Sequence, residues 1–266
     1  MTVTTAAVLR GEGLELAYDE RVVARDLTLA VPEGKVTVLV GPNACGKSTT
    51  LRALARLLAP RAGQVLLDDT DVRELGAKEL ARRLGLLPQS PVAPPGITVG
   101  DLVARGRFPH QRFLQQWSRE DADAVERALV ATGVRELADR TVDELSGGQR
   151  QRVWLALLLA QETPLMLLDE PTTFLDVSHQ LDVLELCRRL NRDDGRTVVI
   201  VLHDLNQAAR YADHLVVMRE GALVAAGAPA DVLTPALLED VFGLRVVLLE
   251  DPVSGGPLVV PVASVR

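Results

Sequence analysis

The chain has 266 residues, of which 47% are apolar and 24% are charged, the balance of an ordinary globular protein. Its net charge of −7 and the lack of a long basic run argue against a nucleic-acid binder. Two cysteines, Cys45 and Cys187, give no disulfide framework and fit a reducing cytosol. The N-terminus lacks the pattern of an export signal, and no apolar run reaches the roughly 18–20 residues that span a bilayer. If the protein works at a membrane, another chain must hold it there.

Apolar stretches in the first seventy residues predict a strand-rich start with one helix. Partial alternation indicates half-buried strands, and a continuous apolar run that ends at a glycine indicates a buried strand. Strands are predicted at 8–18, 22–31, 35–41 and 63–69, and a helix is predicted at 50–60.

The rest of the chain changes character twice. Residues 97–145 are polar, helix-rich and punctuated by proline and arginine, with a predicted helix at 118–134. Beyond them the pattern predicts a strand at 164–170, a helix at 179–192, a strand at 196–204 and a hairpin at 215–227 around Glu220-Gly221. This alternation predicts an α/β fold whose mostly parallel sheet carries helices on both faces.

A phosphate-binding loop is predicted at residues 41–48, GPNACGKS. They fit the pattern G-x-x-x-x-G-K-[ST] between a predicted strand and a predicted helix. Gly41 and Gly46 allow the backbone N–H groups to turn towards a β-phosphate. Lys47 would neutralise phosphate charge and Ser48 would offer a hydroxyl to Mg²⁺. A glycine-rich structural turn alone would not explain both flanking elements.

Polar side chains end two later strands. Asp169 follows an apolar run, where it can hold Mg²⁺ through water, and Glu170 could accept a proton from an attacking water. The plainer alternative is a strand that ends in two solvated acids. His203 ends the next strand, and the ends of such strands form the ligand-binding edge of α/β sheets. A structural histidine is the alternative there.

A second anion site is predicted at residues 145–152, LSGGQRQR. Ser146 is placed to cap a helix, and Gly147 and Gly148 would open the first N–H groups of that helix to an anion. The chain therefore carries two phosphate-binding motifs, which could hold two phosphates or share one.

Taken together, the motifs resemble the nucleotide-binding subunit of ATP-binding cassette (ABC) transporters. The resemblance covers nearly the whole chain and rests on five segments: GPNACGKST (41–49), LPQ (87–89), LSGGQRQR (145–152), LMLLDEPTTFLD (165–176) and the histidine of LHD, His203. It implies an ABC-type P-loop ATPase with a RecA-like mixed sheet core, an antiparallel β subdomain and a helical subdomain. The implied boundaries are 1–95 and 160–225 for the β subdomain and core, 96–159 for the helical subdomain, and 226–266 for a C-terminal β/α extension.

The resemblance also implies the residues that bind ATP and Mg²⁺. Tyr18 would stack on adenine, the alternative being a half-buried strand tyrosine. Mg²⁺ would be reached by Ser48, Gln89 and Asp169. The loop residues implied to bind ATP are Gly41, Pro42, Asn43, Ala44, Cys45, Gly46, Lys47, Ser48 and Thr49.

Hydrolysis is implied to need Glu170, His203 and Gln89, with Gln89 moving in response to a transmembrane partner. Asp176 matches the end of the D-loop. A second copy of the chain would supply the signature residues Ser146, Gly147, Gly148 and Gln149 in trans.

Two loop positions stand out. Ala44 replaces a frequent glycine and is harmless if its φ is negative. Cys45, near a helix N-terminus and a lysine, could be a reactive thiol, incidental to the mechanism.

A finer resemblance, in segments 97–113, 198–221 and 227–244, is to ATP-binding subunits of ferric-siderophore importers, a group that includes the haem and cobalamin systems. It implies permease subunits, a homodimer with ATP, a substrate-binding lipoprotein as an indirect partner, no nucleic acid, and a peripheral location on the cytoplasmic membrane face. The segment RGRFPH (105–110) would face the permease; a surface loop with two arginines is the alternative.

Other functional classes fit less well. A P-loop kinase has no use for LSGGQ. A DNA-repair or chromosome ATPase carries a long coiled coil between its motifs, whereas fewer than a hundred residues separate Lys47 from Ser146 here and no sustained heptads appear. A translation-associated ABC protein normally has two cassettes. The nearest rival is an exporter ATPase.

Overall fold

The computed structural model describes residues 7–111, 117–173 and 175–265. Residues 112–113 of the finer resemblance and Phe174 of the LMLLDEPTTFLD motif lie outside this set. The chain forms two compact units, Met1–Glu74 with Thr197–Arg266, and Leu75–Arg196.

The elements follow in chain order. The first unit begins with β1 (Ala7–Tyr18), β2 (Arg21–Pro32), β3 (Val36–Val40), α1 (Lys47–Leu54), β4 (Ala62–Leu67) and β5 (Thr70–Asp71). The second unit contains α2 (Ala77–Arg83), β6 (Leu84–Leu87), α3 (Val99–Ala104), α4 (Arg119–Ala131), α5 (Gly147–Ala160), β7 (Leu165–Asp169) and α6 (Val177–Asp194). The first unit resumes with β8 (Thr197–Val201), α7 (Leu205–Tyr211), β9 (His214–Arg219), β10 (Ala222–Gly227), α8 (Pro229–Val232), α9 (Pro235–Phe242), β11 (Leu244–Glu250) and β12 (Pro257–Ser264).

The first unit contains an antiparallel sheet and a mixed strand set. The antiparallel sheet has the order β2-β1-β4-β5. In the mixed set, β3 lies between β8 and β9 and is parallel to both, while β10 is antiparallel to β9. All residues of β3 and β8 are buried, as expected for parallel strands that are covered on both faces. The α/β class with a mixed sheet and a separate antiparallel sheet is therefore confirmed.

The second unit is built on helices α3, α4 and α5 and the parallel pair β6–β7. Helix α4 begins at a capping box in which Ser118 accepts from the N–H of Asp121 and Asp121 accepts from the N–H of Ser118. Such reciprocal bonds satisfy two N–H groups that a helix start otherwise leaves unpaired. In the described ranges of both units, no helix combines the length and the apolar character needed to cross a membrane.

The predicted strands are found, but the first helix is displaced. It begins at Lys47 instead of residue 50 and ends at Leu54 instead of residue 60. Its early end has a backbone cause, because Arg56 adopts a left-handed φ of 58° that cannot continue an α-helix. Its early start follows from the phosphate-binding loop, which passes directly into the helix.

Candidate functional site

The phosphate-binding loop folds around its own lysine. Nζ of Lys47 donates to the carbonyl oxygens of Gly41 and Pro42 at 2.8 and 3.1 Å, and the side chain is buried. Among the other loop residues, Asn43 is exposed and Ser48 is half-buried. The loop is thus ordered as a cradle whose lysine lies within it, as phosphate binding requires.

The β9–β10 turn holds this loop from outside. The N–H of Gly221 donates to the carbonyl of Cys45 at 2.9 Å. Gly221 has a φ of 78°, and a Cβ there would overlap the carbonyl of Val23 in β2. On the other side, a Cβ at Gly41 would overlap the carbonyl of Met218. The sequence predicted this turn but gave no signal that it supports the loop.

Ala44 contradicts the expectation for its backbone. Its φ is 61°, so it lies in the left-handed region and not at a negative φ. For an alanine this conformation costs about 1–2 kcal/mol, because Cβ approaches the following carbonyl. The loop keeps its shape, and this conformational cost lowers the free energy of unfolding of the protein.

We therefore expect Ala44→Gly to raise the free energy of unfolding by about 1 kcal/mol or less, because relief of the left-handed alanine exceeds the added entropy of the unfolded glycine. Thermal unfolding measures the change. The control is Ala122→Gly at an exposed position of α4, which should lose about 1 kcal/mol. If Ala44→Gly lowered the free energy of unfolding as much as Ala122→Gly does, the backbone of Ala44 would not be strained.

Cys45 is not an activated thiol. It is buried, and burial raises the pKa of its thiol; the ammonium of Lys47 offsets only part of that rise. Because the thiolate is the reactive form, the expectation of a reactive cysteine in the loop is wrong.

Tyr18 lies at the end of β1, beside the helix that follows the loop. Its hydroxyl oxygen accepts from Nη1 of Arg52 in α1 at 3.3 Å, and 40% of the residue is exposed. Tyr18 is thus the last residue of a strand, and enough of it is accessible for adenine stacking to stay a prediction beside the alternative of a structural strand tyrosine. Arg52, which holds its hydroxyl, was not predicted from the sequence, since nothing local to residue 52 indicates a partner 34 residues away.

His203 is on the same edge of the first unit's strands as the phosphate-binding loop. Strand β8 pairs in parallel with β3 up to Leu39 and Val201, and the N–H of Leu202 donates to the carbonyl of Leu39 at 3.1 Å. Strand β3 leads into the loop, and β8 leads into His203, which is exposed. Parallel strands present their carboxyl ends at one edge, and here that edge carries both motifs.

In the second unit, the structure brings Gln89 and Glu170 together. Nε2 of Gln89 donates to Oε2 of Glu170 at 2.7 Å, and the hydroxyl of Thr173 donates to the same oxygen at 3.2 Å. Glu170 has a φ of 52°, the kind of strained backbone that accumulates at functional sites. Asp169 precedes it at the end of β7 and is buried. Thr173 was not among the predicted site residues.

The signature motif begins α5 with a capping box. Oγ of Ser146 accepts from the N–H of Gln149 at 3.2 Å, and Oε1 of Gln149 accepts from the N–H of Ser146 at 3.1 Å. Because Oγ acts as an acceptor here, its own proton can be donated to a different acceptor. The first-turn N–H groups outside the box are those of Gly147 and Gly148. Ser146 and Gly147 are exposed, so these donors can reach an anion outside the unit.

Within the second unit the signature helix is fixed to the segment after β7. Nε2 of Gln151 donates to the carbonyl of Pro171 at 3.1 Å, and a Cβ at Gly148 would lie 3.2 Å from Leu175. Asp176 caps α6 through the N–H of His179, and that hydrogen bond, followed by the one from Ser178, lowers the pKa of its carboxyl. Gln151 is a further supporting residue that the sequence did not reveal.

The two arginines of RGRFPH have different environments. Arg107 is 5% exposed and pairs with Asp121 at 2.8 Å and with Glu162 at 2.7 Å. The alternative of a surface loop with two arginines is therefore wrong for Arg107. Arg105 lines a groove of about 470 Å³ with the exposed rings of Phe108 and Trp117.

Comparison of this sequence with known proteins identifies the family to which the chain belongs. The ABC transporter family matches residues 24–173. The ferric enterobactin transport ATP-binding protein of Escherichia coli (strain K12) is 55% identical over 257 residues, which are 97% of this chain and 95% of that protein. Other curated relatives include a probable siderophore transport system ATP-binding protein at 52% identity, petrobactin import proteins at 48% and 42%, and an iron(3+)-hydroxamate import protein at 44%. Cobalamin import proteins are 43% identical over 62% of their own length.

Solved structures agree with this family. A chain of a transporter described as metal-chelate type, in an inward-facing conformation, has a TM-score of 0.81 at 28% identity over 97% of this chain and 98% of its own. An ATP-binding cassette solved as a dimer in a post-hydrolysis state, bound to ADP and Pi, has a TM-score of 0.74 at 27% identity over 83% of this chain and 98% of its own.

Proposed function

Because the chain belongs to the ABC transporter family of ATPases, we propose that it is the ATP-hydrolysing subunit of an importer for ferric siderophores. The observation that carries the cargo class is the 55% identity, over nearly both full lengths, with a ferric enterobactin transport protein. Haem, cobalamin and other metal chelates are the alternatives, and an exporter ATPase is a more distant one.

In this proposal the first unit binds the nucleotide. The accessible ring of Tyr18 stacks on adenine. The hydrogen bond from Arg52 to its hydroxyl keeps the ring in place for this contact. The loop residues 41–49, apart from Pro42, surround the β- and γ-phosphates with N–H groups. Lys47 exchanges its loop carbonyls for phosphate oxygens. The exposure of Asn43 and Ala44 leaves the mouth of the loop open to a ligand.

The donor chemistry fits Mg²⁺. Mg²⁺ prefers oxygen ligands and is usually bound by one or two protein oxygens together with substrate phosphates. Ser48 offers a hydroxyl, Asp169 a carboxylate and Gln89 a side-chain carbonyl. Among the described residues no three His, Cys, Asp or Glu side chains cluster as a metal site. When bound, the ion neutralises charge on the β- and γ-phosphates.

A second copy of the chain completes the site. The proton of the Ser146 hydroxyl and the N–H groups of Gly147 and Gly148 are donors at the start of a helix, and they suit an anion. In a two-fold dimer, each signature motif then serves the ATP that the other copy holds, so two motifs per chain give two shared sites. Gln149 supports the geometry through the capping box, and Asp176 fixes the adjoining helix start.

Hydrolysis follows in the closed pair. Glu170 accepts the proton of the attacking water, and His203 donates a hydrogen bond to the γ-phosphate from the edge that also carries the loop. Gln89 releases or engages the Glu170 carboxylate as it moves. ATP favours the closed pair because it binds that state better, and hydrolysis removes this bias.

The permease is proposed to bind the groove beside Arg105. Phe108 is 56% exposed and Trp117 is 49% exposed, and exposed aromatic rings around a groove mark an interaction surface. The chain is then a peripheral subunit on the cytoplasmic face of the membrane. A substrate-binding lipoprotein is an indirect partner, and nucleic acid is not a partner.

Uptake by cells tests the cargo. We expect cells without this subunit to lose uptake of labelled ferric siderophores, with haem and cobalamin uptake unchanged. The wild-type chain should restore uptake, and the matched Lys47→Ala chain should not, because its loop lacks the phosphate-neutralising ammonium. Loss of haem or cobalamin uptake alone would reassign the cargo. Intact uptake with retention of a normally exported compound would indicate an exporter.

A further inference from the structure

The helix that follows His203 is held by the C-terminal hairpin. Helix α7 (Leu205–Tyr211) is capped by Asp204, whose side chain accepts from the N–H of Gln207 at 2.8 Å. His203 therefore lies between the end of β8 and a helix of only two turns. On the β8 side it is anchored through Leu202, which is hydrogen-bonded to β3. Whatever fixes α7 on the other side also fixes the histidine.

The first anchor on α7 is Asn206. Its Nδ2 donates to the carbonyl of Val259 in β12 at 3.1 Å, and its Oδ1 accepts from the N–H of the same residue at 2.7 Å. The side-chain amide thus pairs with both backbone groups of one strand residue. Such a two-point contact fixes direction as well as distance.

The second anchor is the ion pair between Arg210 and Asp251. Nε and Nη2 of Arg210 reach the two carboxylate oxygens at 2.9 and 3.0 Å, a bidentate arrangement. Asp251 is 4% exposed and also accepts from the hydroxyl of Ser254 and the N–H of Val253. Arg210, followed by these two donors, lowers the pKa of the carboxyl to about 2, so the pair stays charged at neutral pH.

These anchors lie on one face of the helix. Residues 206 and 210 are four apart, and this spacing puts side chains on the same side of an α-helix. Both reach the connected segment from Asp251 to Val259, which comprises the β11–β12 turn and the start of β12. The contacts extend 53 and 41 residues along the chain. The C-terminal hairpin is therefore joined to the helix that starts two residues after the histidine.

We propose that Asn206, Arg210 and Asp251 are positioning residues for His203, and that the C-terminal hairpin sets the place of this histidine at the γ-phosphate. The inference rests on the proposed role of His203 in hydrolysis. Catalytic groups must be held to within about 0.5 Å by such supporting contacts. A displacement of about 1 Å caused by a distant change can cost up to about a hundredfold in rate.

The first test is Asp251→Asn, which keeps the size of the side chain and removes its charge. We expect kcat for ATP to fall about tenfold while KM stays within about twofold, because placement is lost and the nucleotide-binding residues are untouched. Asp71→Asn is the matched control. Asp71 pairs with Arg73 through both carboxylate oxygens in the same unit but lies outside α7 and the hairpin, so its kcat should not change.

A double-mutant cycle separates positioning from general stability. If the hairpin acts through His203, Asp251→Asn should add no loss in a His203→Ala background, and the two kcat values should agree within about twofold. A purely structural role would lower kcat by the same factor in both backgrounds. Thermal unfolding of each chain checks that it is folded. Asn206→Asp replaces Asp251→Asn if that variant does not fold; it exchanges the donor to the Val259 carbonyl for a charged oxygen and so breaks the same link between α7 and the hairpin.

The outcomes distinguish the two proposals. If His203→Ala leaves kcat unchanged, the role of His203 is wrong and this inference falls with it. Suppose instead that His203→Ala lowers kcat. If Asp251→Asn then leaves kcat unchanged, or lowers it equally in the His203→Ala background, only the positioning inference is overturned. A loss that disappears in the double variant supports it.

Discussion

Glu170→Gln should lower ATP turnover by about 10²–10⁴-fold, the usual contribution of a general base, while the protein still binds ATP and accumulates as an ATP-bound pair. An amide cannot accept the proton of the attacking water. It can keep the local structure, because its carbonyl oxygen can still accept from Gln89 and Thr173 as Oε2 does now. Steady-state hydrolysis and size-exclusion chromatography with ATP measure the two effects.

The control for this change is Glu136→Gln, the same replacement at an exposed position of the second unit. Its turnover and its elution with ATP should match the wild type. If the Glu170 variant stays monomeric with ATP, the nucleotide does not join two copies and the shared-site proposal is wrong. If it turns over at the wild-type rate, Glu170 is not the base.

Ser146→Arg should abolish turnover and leave ATP binding by the single chain near the wild-type affinity. The change removes a hydroxyl donor and places a long side chain at the exposed start of α5. Loss of one such preorganised donor alone costs about 10²–10³-fold. Titration with a fluorescent nucleotide at low protein concentration measures binding, and steady-state hydrolysis measures turnover. Loss of binding itself would mean that the motif serves the ATP of its own chain.

Thr234→Arg is the matched control, because Thr234 is an exposed N-cap of α9 and the loss of a cap costs about 1 kcal/mol at either place. Its turnover should be unchanged. Mixing Ser146→Arg chains with Lys47→Ala chains gives a sharper test. In a mixed pair the loop of the first chain meets the signature of the second, so one intact site forms and part of the turnover returns. Absence of any recovery would contradict sharing between copies.

Elements with a strong local pattern were predicted well from the sequence. Strands β3, β7 and β8 are continuous apolar runs, and parallel strands buried on both faces have that composition. The N-cap at Ser146 was also predicted, because a serine before a helical pattern is a local signal, whereas its reciprocal bond with Gln149 was not predicted. The start of α1 was misplaced because its first residue, Lys47, is polar yet buried, so hydrophobic periodicity begins only after it.

What the sequence missed depends on contacts between distant residues. Ala44, with its positive φ, lies in a loop that is hydrogen-bonded to a turn more than 170 residues later. No residue near Ala44 in the sequence indicates that contact. Arg105 and Arg107 look equivalent in RGRFPH, but the partners of Arg107 lie 14 and 55 residues away. Likewise, Asn206 and Arg210 have their partners 53 and 41 residues away, and nothing near them in the sequence indicates those contacts.

The hydrogen bond between Gln89 and Glu170 has a consequence for how much ATP the cell consumes. In the geometry seen here, one oxygen of the carboxylate already accepts from an amide and a hydroxyl. Under the proposed function, a subunit in this state is restrained from futile hydrolysis, because Gln89 and one oxygen of the base are engaged with each other and not with nucleotide, metal or water. A permease that draws Gln89 away then acts by release, without contributing any group to the reaction. ATP consumption would in this way be tied to the arrival of cargo, and an idle transporter would spare the nucleotide pool.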